Sequence, residues 1–323
     1  MQYTHMHGCG NSFYVIDARD GGPDDRAAID TVRRHCGDPF DLDGIVMIHP
    51  SAIADVKTVI YNSDGSRAPM CGNGVRCLSK FVVDHTPDAS TLLVEPTTIG
   101  ELTRALATSA EGLPPQVRRV LLASIMQTEW TVDDRVTLRR MTAETDSGIK
   151  THYCVLRADG VIWATVSLGS PETRLARLNC TLDGDEAFDR MVRVGDGCFQ
   201  VSVIGLGNLH CVVFVDDVET VNVEAQGRLI ETCAEIFPDS VNVHFVQTFS
   251  PTHLRIRTWE RGAGATLACG TGSCASVIAG MKTGRCQSNC RVDQPGGTIY
   301  VDVADDVLMS GPAVEVSQGE WPD

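Results

Sequence analysis

Two cysteines in matched surroundings are the residues best placed to do chemistry. Cys71 lies in MCGNGVRCLSKFVV (Met70–Val83) and Cys269 in TLACGTGSCASVIAGM (Thr266–Met281). Each precedes a Gly-rich turn, Gly72-Asn73-Gly74 or Gly270-Thr271-Gly272, and then an apolar pattern at helical spacing. A helix that opens this way aims unpaired backbone N–H groups and the positive end of its dipole at whatever occupies its mouth. Such a mouth holds a small anion and favours the thiolate over the thiol. A lone cysteine there suggests a nucleophile, but a papain-like site needs a paired histidine with an orienting Asn or Asp, and neither motif has that context. Two equivalent thiols suggest symmetric acid–base work instead. A thiolate on one face of a carbon removes a proton while a thiol on the other face returns one, and the carbon inverts. Free thiols titrate near pH ~8.5, and a helix N-terminus brings them toward neutrality, where general acid–base catalysis is efficient. The α-proton of an amino acid is very weakly acidic. The N–H groups after each cysteine must therefore hold the α-carboxylate as negative charge grows, in a site closed to water.

The elements needed to position these thiols occur twice. Residues 3–17 read as strand, Gly-rich turn (Gly8, Gly10, Asn11) and strand; residues 24–36 read as a helix; 44–50 and 55–62 read as strands, followed by the turn SDGS and the cysteine helix. In the second half, 201–217 reads as strand, turn and strand, 219–237 holds a helix, and NVHFVQ and HLRIRTWE are strands leading to GAGATLACG and a helix. Asn11 and Asn208 lie 197 positions apart; Asn62 and Glu260, Cys71 and Cys269, and Asn73 and Thr271 each lie 198 apart. The expected fold is thus α/β (α+β): two pseudo-symmetric halves from an internal duplication, each a mixed sheet wrapped round a central helix. The active site is expected in the cleft between them, one cysteine on each wall. The expected N-terminal half is 1–143, the C-terminal half 144–311, and the tail 312–323 is a strand returning to the first half. Residues 95–143 stand outside the repeat and read as an inserted segment with one or two helices, broken at Pro114 and Pro115. GVIWATVSLGS (160–170) resumes the strand pattern.

Composition narrows the classes. The chain has 323 residues, 43% hydrophobic and 21% charged, an ordinary globular balance, and its formal charge of −15 argues against nucleic acid and anionic membrane surfaces as partners. Its first residues, MQYTHMHGCGNSFYVID, have neither a basic nor an apolar leader region, and no apolar run approaches the ~18 residues of a membrane span, so a cytoplasmic protein is expected. Thirteen cysteines with no export signal suit a reducing compartment, and the Cys71–Cys77 and Cys269–Cys274 intervals do not suit zinc. No metal or other cofactor is expected. A pyridoxal-phosphate enzyme would need a Schiff-base lysine, and Lys57, Lys80, Lys150 and Lys282, the four present, lie outside any motif. Taken singly, the remaining cysteines, such as Cys77, Cys154, Cys180, Cys233 and Cys274, read as small buried apolar residues.

The segments MHGCGNSFYVID, YNSDGSRAPMCGNGVRC, GNLHCVVFVDDV, FPDSVNVHFVQ, ERGAGATLACGTGSCAS and QPGGTIYVDV together resemble the diaminopimelate epimerase family over nearly the whole chain apart from 95–143. The resemblance implies a cofactor-independent isomerase interconverting LL- and meso-diaminopimelate, on the way to lysine and peptidoglycan, commonly as a homodimer. It implies Cys71 and Cys269 as the acid/base pair, with Gly72, Asn73, Gly270 and Thr271 around the reacting carboxylate and amine. It further implies Asn11, Asn62, Asn208, Asn242, Glu260 and Arg261 as substrate-binding residues, and His210 as a histidine near the pair. A doubly zwitterionic ligand needs such donors, acceptors and a cation. Asn11 and Asn242 taken alone read equally as turn or capping residues. Three positions depart from the family's usual residues: Ser12 for Asp, Leu209 for Pro and Ala265 for Glu. They leave open a racemase of another amino acid, such as histidine, on the same fold. A catalytically silent amino-acid-binding module also stays open.

Overall fold

The computed structural model describes residues 2–35, 42–108, 112–131 and 134–320. Cys36 of the expected first helix, Trp321 of the tail, and 109–111 and 132–133 of the inserted segment lie outside the described residues. The chain divides into two compact units, Met1–Ser167 with Leu308–Asp323, and Leu168–Val307.

The first unit opens on a hairpin of β1 (Gln2–Gly8) and β2 (Asn11–Asp17). Cys9 and Gly10, at φ 55° and 82°, make a two-residue turn of the left-handed kind that matches strand twist. This turn pairs Gly8 with Asn11 and so sets Asn11 at the start of β2. After α1 (Asp25–His35), β3 (Gly44–His49) lies parallel to β2, β4 (Val56–Asn62) antiparallel to β3, and the short β5 (Arg67–Ala68) against β4. Then comes α2 (Gly72–His85), followed by β6 (Thr91–Thr98), α3 (Ile99–Thr108), α4 (Pro115–Ile125) and a meander of β7 (Arg135–Thr145), β8 (Gly148–Arg157) and β9 (Gly160–Ser167). β7 pairs with β6 along one stretch and, parallel, with β4 at Val56–Ala143.

The inserted segment holds two helices with the break at Pro114 and Pro115, and differs from the sequence reading in its last stretch. Pro115 starts α4, as proline can at a first helical position, and Pro114 precedes it in an extended conformation. Residues 135–143 are strand, with the alternating burial that RVTLRRMTA encodes. Because β8 and β9 continue the ladder that β7 begins, residues 144–167 belong with the first unit rather than the second. A boundary at residue 143 would cut through β7.

The second unit contains β10 (Arg190–Val194), β11 (Gly197–Gly205), β12 (Leu209–Phe214), α5 (Val223–Glu231), β13 (Asn242–Ser250), β14 (His253–Glu260), β15 (Gly264–Thr266), α6 (Gly270–Lys282), β16 (Asn289–Gln294) and β17 (Gly297–Val303). Its pairing repeats the first unit step for step. β11–β12 is antiparallel like β1–β2, β12–β13 parallel like β2–β3, and β13–β14 antiparallel like β3–β4. β15 on β14 corresponds to β5 on β4, and the parallel pair β14–β16 to β4–β7. The turn glycines also correspond, Gly207 at φ 79° matching Gly10. The extra elements between α2 and β7 are β6, α3 and α4. The last strands, β18 (Val307–Gly311) and β19 (Val314–Glu320), pair with β9 and β1.

Each unit wraps its sheet around one helix. Eleven of the fourteen residues of α2 are buried, against β1, β2, β3, β7, β8, β9 and β19. Eleven of the thirteen in α6 are buried, against β11 to β14, β16 and β17. A helix buried all round must satisfy its polar side chains internally. Ser79 does so by donating to the Val75 carbonyl and pairing with His152 Nδ1 at 2.6 Å; Ser273 and Ser276 donate to the Cys269 and Gly272 carbonyls one turn back. The small residues of GTGSCASVIAG bring strands close to the α6 backbone. At Gly272 a Cβ would sit 2.0 Å from His244 Cε1, so no side chain fits there without displacing that ring. No helix among the described residues is long and apolar enough to cross a membrane.

Gly272→Ala is expected to destabilise the protein by about 1–3 kcal/mol through overpacking. Urea denaturation should show a lower midpoint at unchanged slope. Gly100→Ala, in open space on α3, should not lower the midpoint and serves as the control.

Candidate active site

Both cysteines are the capping residues of their buried helices. Cys71 precedes α2 at φ −134°, ψ 112°, and Cys269 precedes α6 at φ −129°, ψ 107°. Such an extended residue just outside the first turn is placed to put its side chain over the helix's unpaired amides. In α2 the Cys71 Sγ accepts from the Gly74 amide at 3.5 Å. In α6 the Cys269 Sγ lies 3.8 Å from Thr271 Oγ1, and the Cys269 amide donates to Gln294 Oε1 on β16 at 2.7 Å. The glycines after each cysteine carry no side chain, and a Cβ on Gly74 would lie 3.3 Å from Ile60 and Val46.

The two mouths carry opposite electrostatics. Behind Cys71, Arg76 is fully buried one turn into α2. Its guanidinium donates to the Gly72 carbonyl at 3.3 Å, the Pro312 carbonyl at 3.2 Å and Cys9 Sγ at 3.5 Å. No carboxylate among the described residues forms an ion pair with it. An interior cation held by carbonyl dipoles and sulfur adds positive potential behind a mouth that is already dipole-positive. Cys269 meets the reverse. Burial, then the charge of Glu260 and a hydrogen bond to it, push its thiol well above the ordinary range, against smaller pulls from the Gly272 amide and the Thr271 hydroxyl. Glu260 is itself steadied by Thr266 Oγ1, which donates to its Oε1 at 2.6 Å. The bystander thiols behave as apolar filling: burial lifts Cys77 to about 12 and raises Cys154.

The expected site residues fall into two groups, one per unit. In the first, Gly72 and Asn73 form the buried first turn of α2, and the end of the β1–β2 hairpin closes on it. A Cβ on Gly8, the register partner of Asn11, would lie 3.2 Å from the Asn73 carbonyl. Asn62 ends β4, is exposed, and donates from Nδ2 to Ser66 Oγ at 3.0 Å across the SDGS turn. Ser12, where the family usually has Asp, bonds His5 Nε2 at 2.7 Å, and its amide donates to the Asp43 carboxylate at 2.7 Å. A carboxylate is thus supplied beside this position from a different point in the chain.

In the second unit Asn208, His210, Asn242, Glu260, Arg261, Gly270 and Thr271 lie on neighbouring strands and turns around the start of α6. Asn242 is a brace: its Nδ2 donates to the Leu209 carbonyl at 3.0 Å, and its Oδ1 accepts from the Arg261 amide at 3.1 Å. It therefore ties the loop of Asn208 to the loop of Arg261. The Arg261 side chain is exposed and donates to the Asp239 carbonyl at 3.1 Å. His210 is fully buried, with Nε2 2.6 Å from Asn208 Oδ1 and Nδ1 2.9 Å from His244 Nε2.

Sequence reasoning did not single out Arg76, Gln294, His244 or Thr258. Arg76 and Gln294 lie inside quoted motifs, but burial of an arginine without a carboxylate, or a glutamine's reach to a distant amide, has no local signature. His244 and Thr258 read as ordinary strand residues. Among the described residues no group of three or more His, Cys, Asp or Glu side chains gathers as a metal site.

Comparison with known proteins agrees with this architecture. The sequence model of the family described as "Diaminopimelate epimerase" matches residues 3–110 and 202–317. Proteins named diaminopimelate epimerase from Methanothermobacter thermautotrophicus and Desulfitobacterium hafniense are 33% and 32% identical, covering 98% and 99% of this chain and 97% of each of theirs. Among solved structures, a probable proline racemase from Agrobacterium radiobacter K84 superposes with a TM-score of 0.64 at 14% identity, covering 99% of this chain and 92% of that one. A hydroxyproline epimerase from Agrobacterium vitis gives 0.60 at 14% identity over 99% and 90%. At that identity the structural likeness speaks for the fold. With the family's sequence model matching 3–110 and 202–317, well over half of the chain, and relatives about one-third identical along almost the full length, the chain belongs to the diaminopimelate epimerase family.

Proposed function

We propose that this protein is a cofactor-independent epimerase that interconverts LL- and meso-diaminopimelate, with Cys71 and Cys269 as its two acid/base groups. The observation that carries the reading is the paired placement of a cysteine as the extended cap of each unit's central helix. The mechanism requires the two sulfurs to address opposite faces of one α-carbon. Together they hold one proton at rest. Cys269, buried beside Glu260, is the partner that keeps it, which leaves the charge on Cys71. In one direction the Cys71 thiolate takes the α-proton and the Cys269 thiol delivers its own from the opposite face; in the other direction the roles exchange. As charge develops on the α-carbon it spreads into the α-carboxylate, where the amides of Gly72, Asn73, Gly270 and Thr271 are the proposed donors. Asn11, Asn62, Asn208, Asn242, Glu260 and Arg261 are the proposed contacts to the rest of the ligand. Asn242 acts in part by holding the loops of Asn208 and Arg261 together.

A second reading, a racemase of another amino acid by the same chemistry, draws on Ser12, Leu209 and Ala265, where this chain departs from its family's usual residues. A chirality assay over LL-diaminopimelate, histidine, lysine and glutamate separates the two: inversion of diaminopimelate alone supports the first reading, and its absence beside inversion of another member supports the second. We also propose a cytoplasmic homodimer, which light scattering of the purified protein tests.

Cys71→Ala and Cys269→Ala should each lower epimerisation by about 10²–10⁴-fold, the usual worth of a positioned acid or base. Calorimetry should still register ligand binding. Near-normal turnover in either variant removes the two-thiol mechanism.

Alkylation reports the charge asymmetry independently of turnover. In Cys71→Ala, the rate of Cys269 alkylation by iodoacetamide should still be rising above the ordinary thiol pKa of ~8.5. The Glu260→Gln change removes the negative charge beside the sulfur and should move that profile to lower pH; an unmoved profile rejects Glu260 as the charge that holds the proton on Cys269.

A further inference from the structure

Behind the mouth of α6 runs a chain of hydrogen bonds through two buried imidazoles. Thr258 Oγ1 on β14 lies 3.0 Å from His244 Nδ1 on β13. His244 Nε2 lies 2.9 Å from His210 Nδ1 on β12, and His210 Nε2 lies 2.6 Å from Asn208 Oδ1 in the turn before β12. Both rings are completely buried, and Thr258 nearly so. The His244 ring also lies against the first turn of α6, where Gly272 leaves room for it.

The chain has a direction. An amide oxygen only accepts, so the proton between Asn208 and His210 belongs to His210 Nε2. A neutral imidazole carries one N–H, which makes His210 Nδ1 an acceptor and His244 Nε2 its donor. By the same step His244 Nδ1 accepts, and the Thr258 hydroxyl donates. With both rings neutral and the Asn208 oxygen turned inward, this is the one tautomer that makes every bond. Burial first, and for His210 also the neighbouring His244 and Arg261 charges, lower both histidines: His210 well below its ordinary value and His244 to about 3. The groups packed against the rings thus oppose protonation through the physiological range.

We propose that His244, oriented by Thr258, is a positioning residue for the reaction: through His210 it commits the Asn208 carbonyl oxygen inward and so presents the Asn208 NH₂ group outward as a donor to an oxygen of the substrate. Asn208 is half-buried, and no partner of its Nδ2 among the described residues lies within hydrogen-bond distance. Without the chain, a free asparagine amide can rotate and offer either its acceptor or its donor end. With it, the end facing the ligand is fixed before binding, which spares that ordering cost on association. The role rests on the reading that Asn208 contacts substrate; the tautomer chain stands apart from that reading.

Long-range ¹H–¹⁵N spectra of histidine-labelled protein test the chain directly. His210 and His244 should each show a protonated Nε2 and an unprotonated Nδ1, unchanged from about pH 6 to about pH 8. A protonated Nδ1 on His210 overturns the proposal, because Asn208 would then face outward with its oxygen. Two variants test the role. His244→Phe fills the space and removes the donor, and should raise KM about tenfold, the worth of one hydrogen bond to a buried partner, with a smaller fall in kcat. His244→Gln keeps an amide donor and should recover much of that loss. A wild-type KM in folded His244→Phe overturns the role. If His244→Phe fails to fold, Thr258→Val carries the test, since loss of the Thr258 donor should give a mixed His210 tautomer and a raised KM; a single unaltered tautomer overturns the proposal. A protein that binds no amino acid by calorimetry, yet shows the stated tautomers, refutes the functional reading while leaving the chain in place.

Discussion

A helix buried on every side still has to begin somewhere, and its first amides have no partner within the helix. That constraint organises each unit of this protein. Most buried helices meet it with Ser, Thr, Asp or Asn as the cap. Here a cysteine stands at that place in both α2 and α6, in almost the same extended conformation. Sulfur is a weak acceptor, so the amides are only loosely satisfied by it, and much of their pull remains available to an anion. The same geometry that leaves the helix end under-satisfied favours a thiolate and a carboxylate. The remainder of each unit packs around that helix, with glycines in the first turn, small residues along α6 and serine hydroxyls folded back onto their own helices.

Duplicated chains are free to diverge wherever the duplicated function does not need identity, and the backs of the two mouths show this. The pairing order of the strands is the same, and the turn glycines Gly10 and Gly207 share a conformation. Behind α2, though, the interior holds the cation of Arg76; behind α6 it holds two neutral imidazoles, with the carboxylate of Glu260 beside the thiol. The proposed sharing of one proton between two thiols calls for a resting preference, and identical surroundings would supply none. Glu260 disfavours a thiolate on Cys269, whereas the buried cation of Arg76 lies one turn into the helix that Cys71 caps.

Much of this was legible in the sequence because duplication converts weak local signals into a repeated one. Landmarks from Asn11 to Asn73 recur 197 or 198 positions later, which marks the paired strands, the two helices and the two cysteines. The boundary between units was less legible. β7 to β9 carry no partner labels in sequence, and a strand's allegiance is set by a ladder that forms only in the fold. Pro114 and Pro115 illustrate a local ambiguity, since the same pair can end a helix or start one. The supporting residues were not legible at all. Arginine is normally exposed, so nothing local marks Arg76 as buried; Gln294 reaches the Cys269 amide from 25 positions away.

The asparagines show why residue type and even family position leave a role underdetermined until contacts are known. Asn62 is tied to Ser66 across its turn, Asn242 spans two loops, and Asn208 is gripped by its oxygen alone. A primary amide has two donors and an acceptor, and what it can offer a ligand is what the protein has not already taken. Asn242 therefore contributes chiefly by fixing where Asn208 and Arg261 stand. Asn208 has its acceptor occupied and its donors left over. In the proposed chain the polarity of that edge is set by His210, His244 and Thr258, none of which needs to touch the ligand; hydrogen bonding selects their tautomer, and burial is the larger cause that keeps the rings neutral.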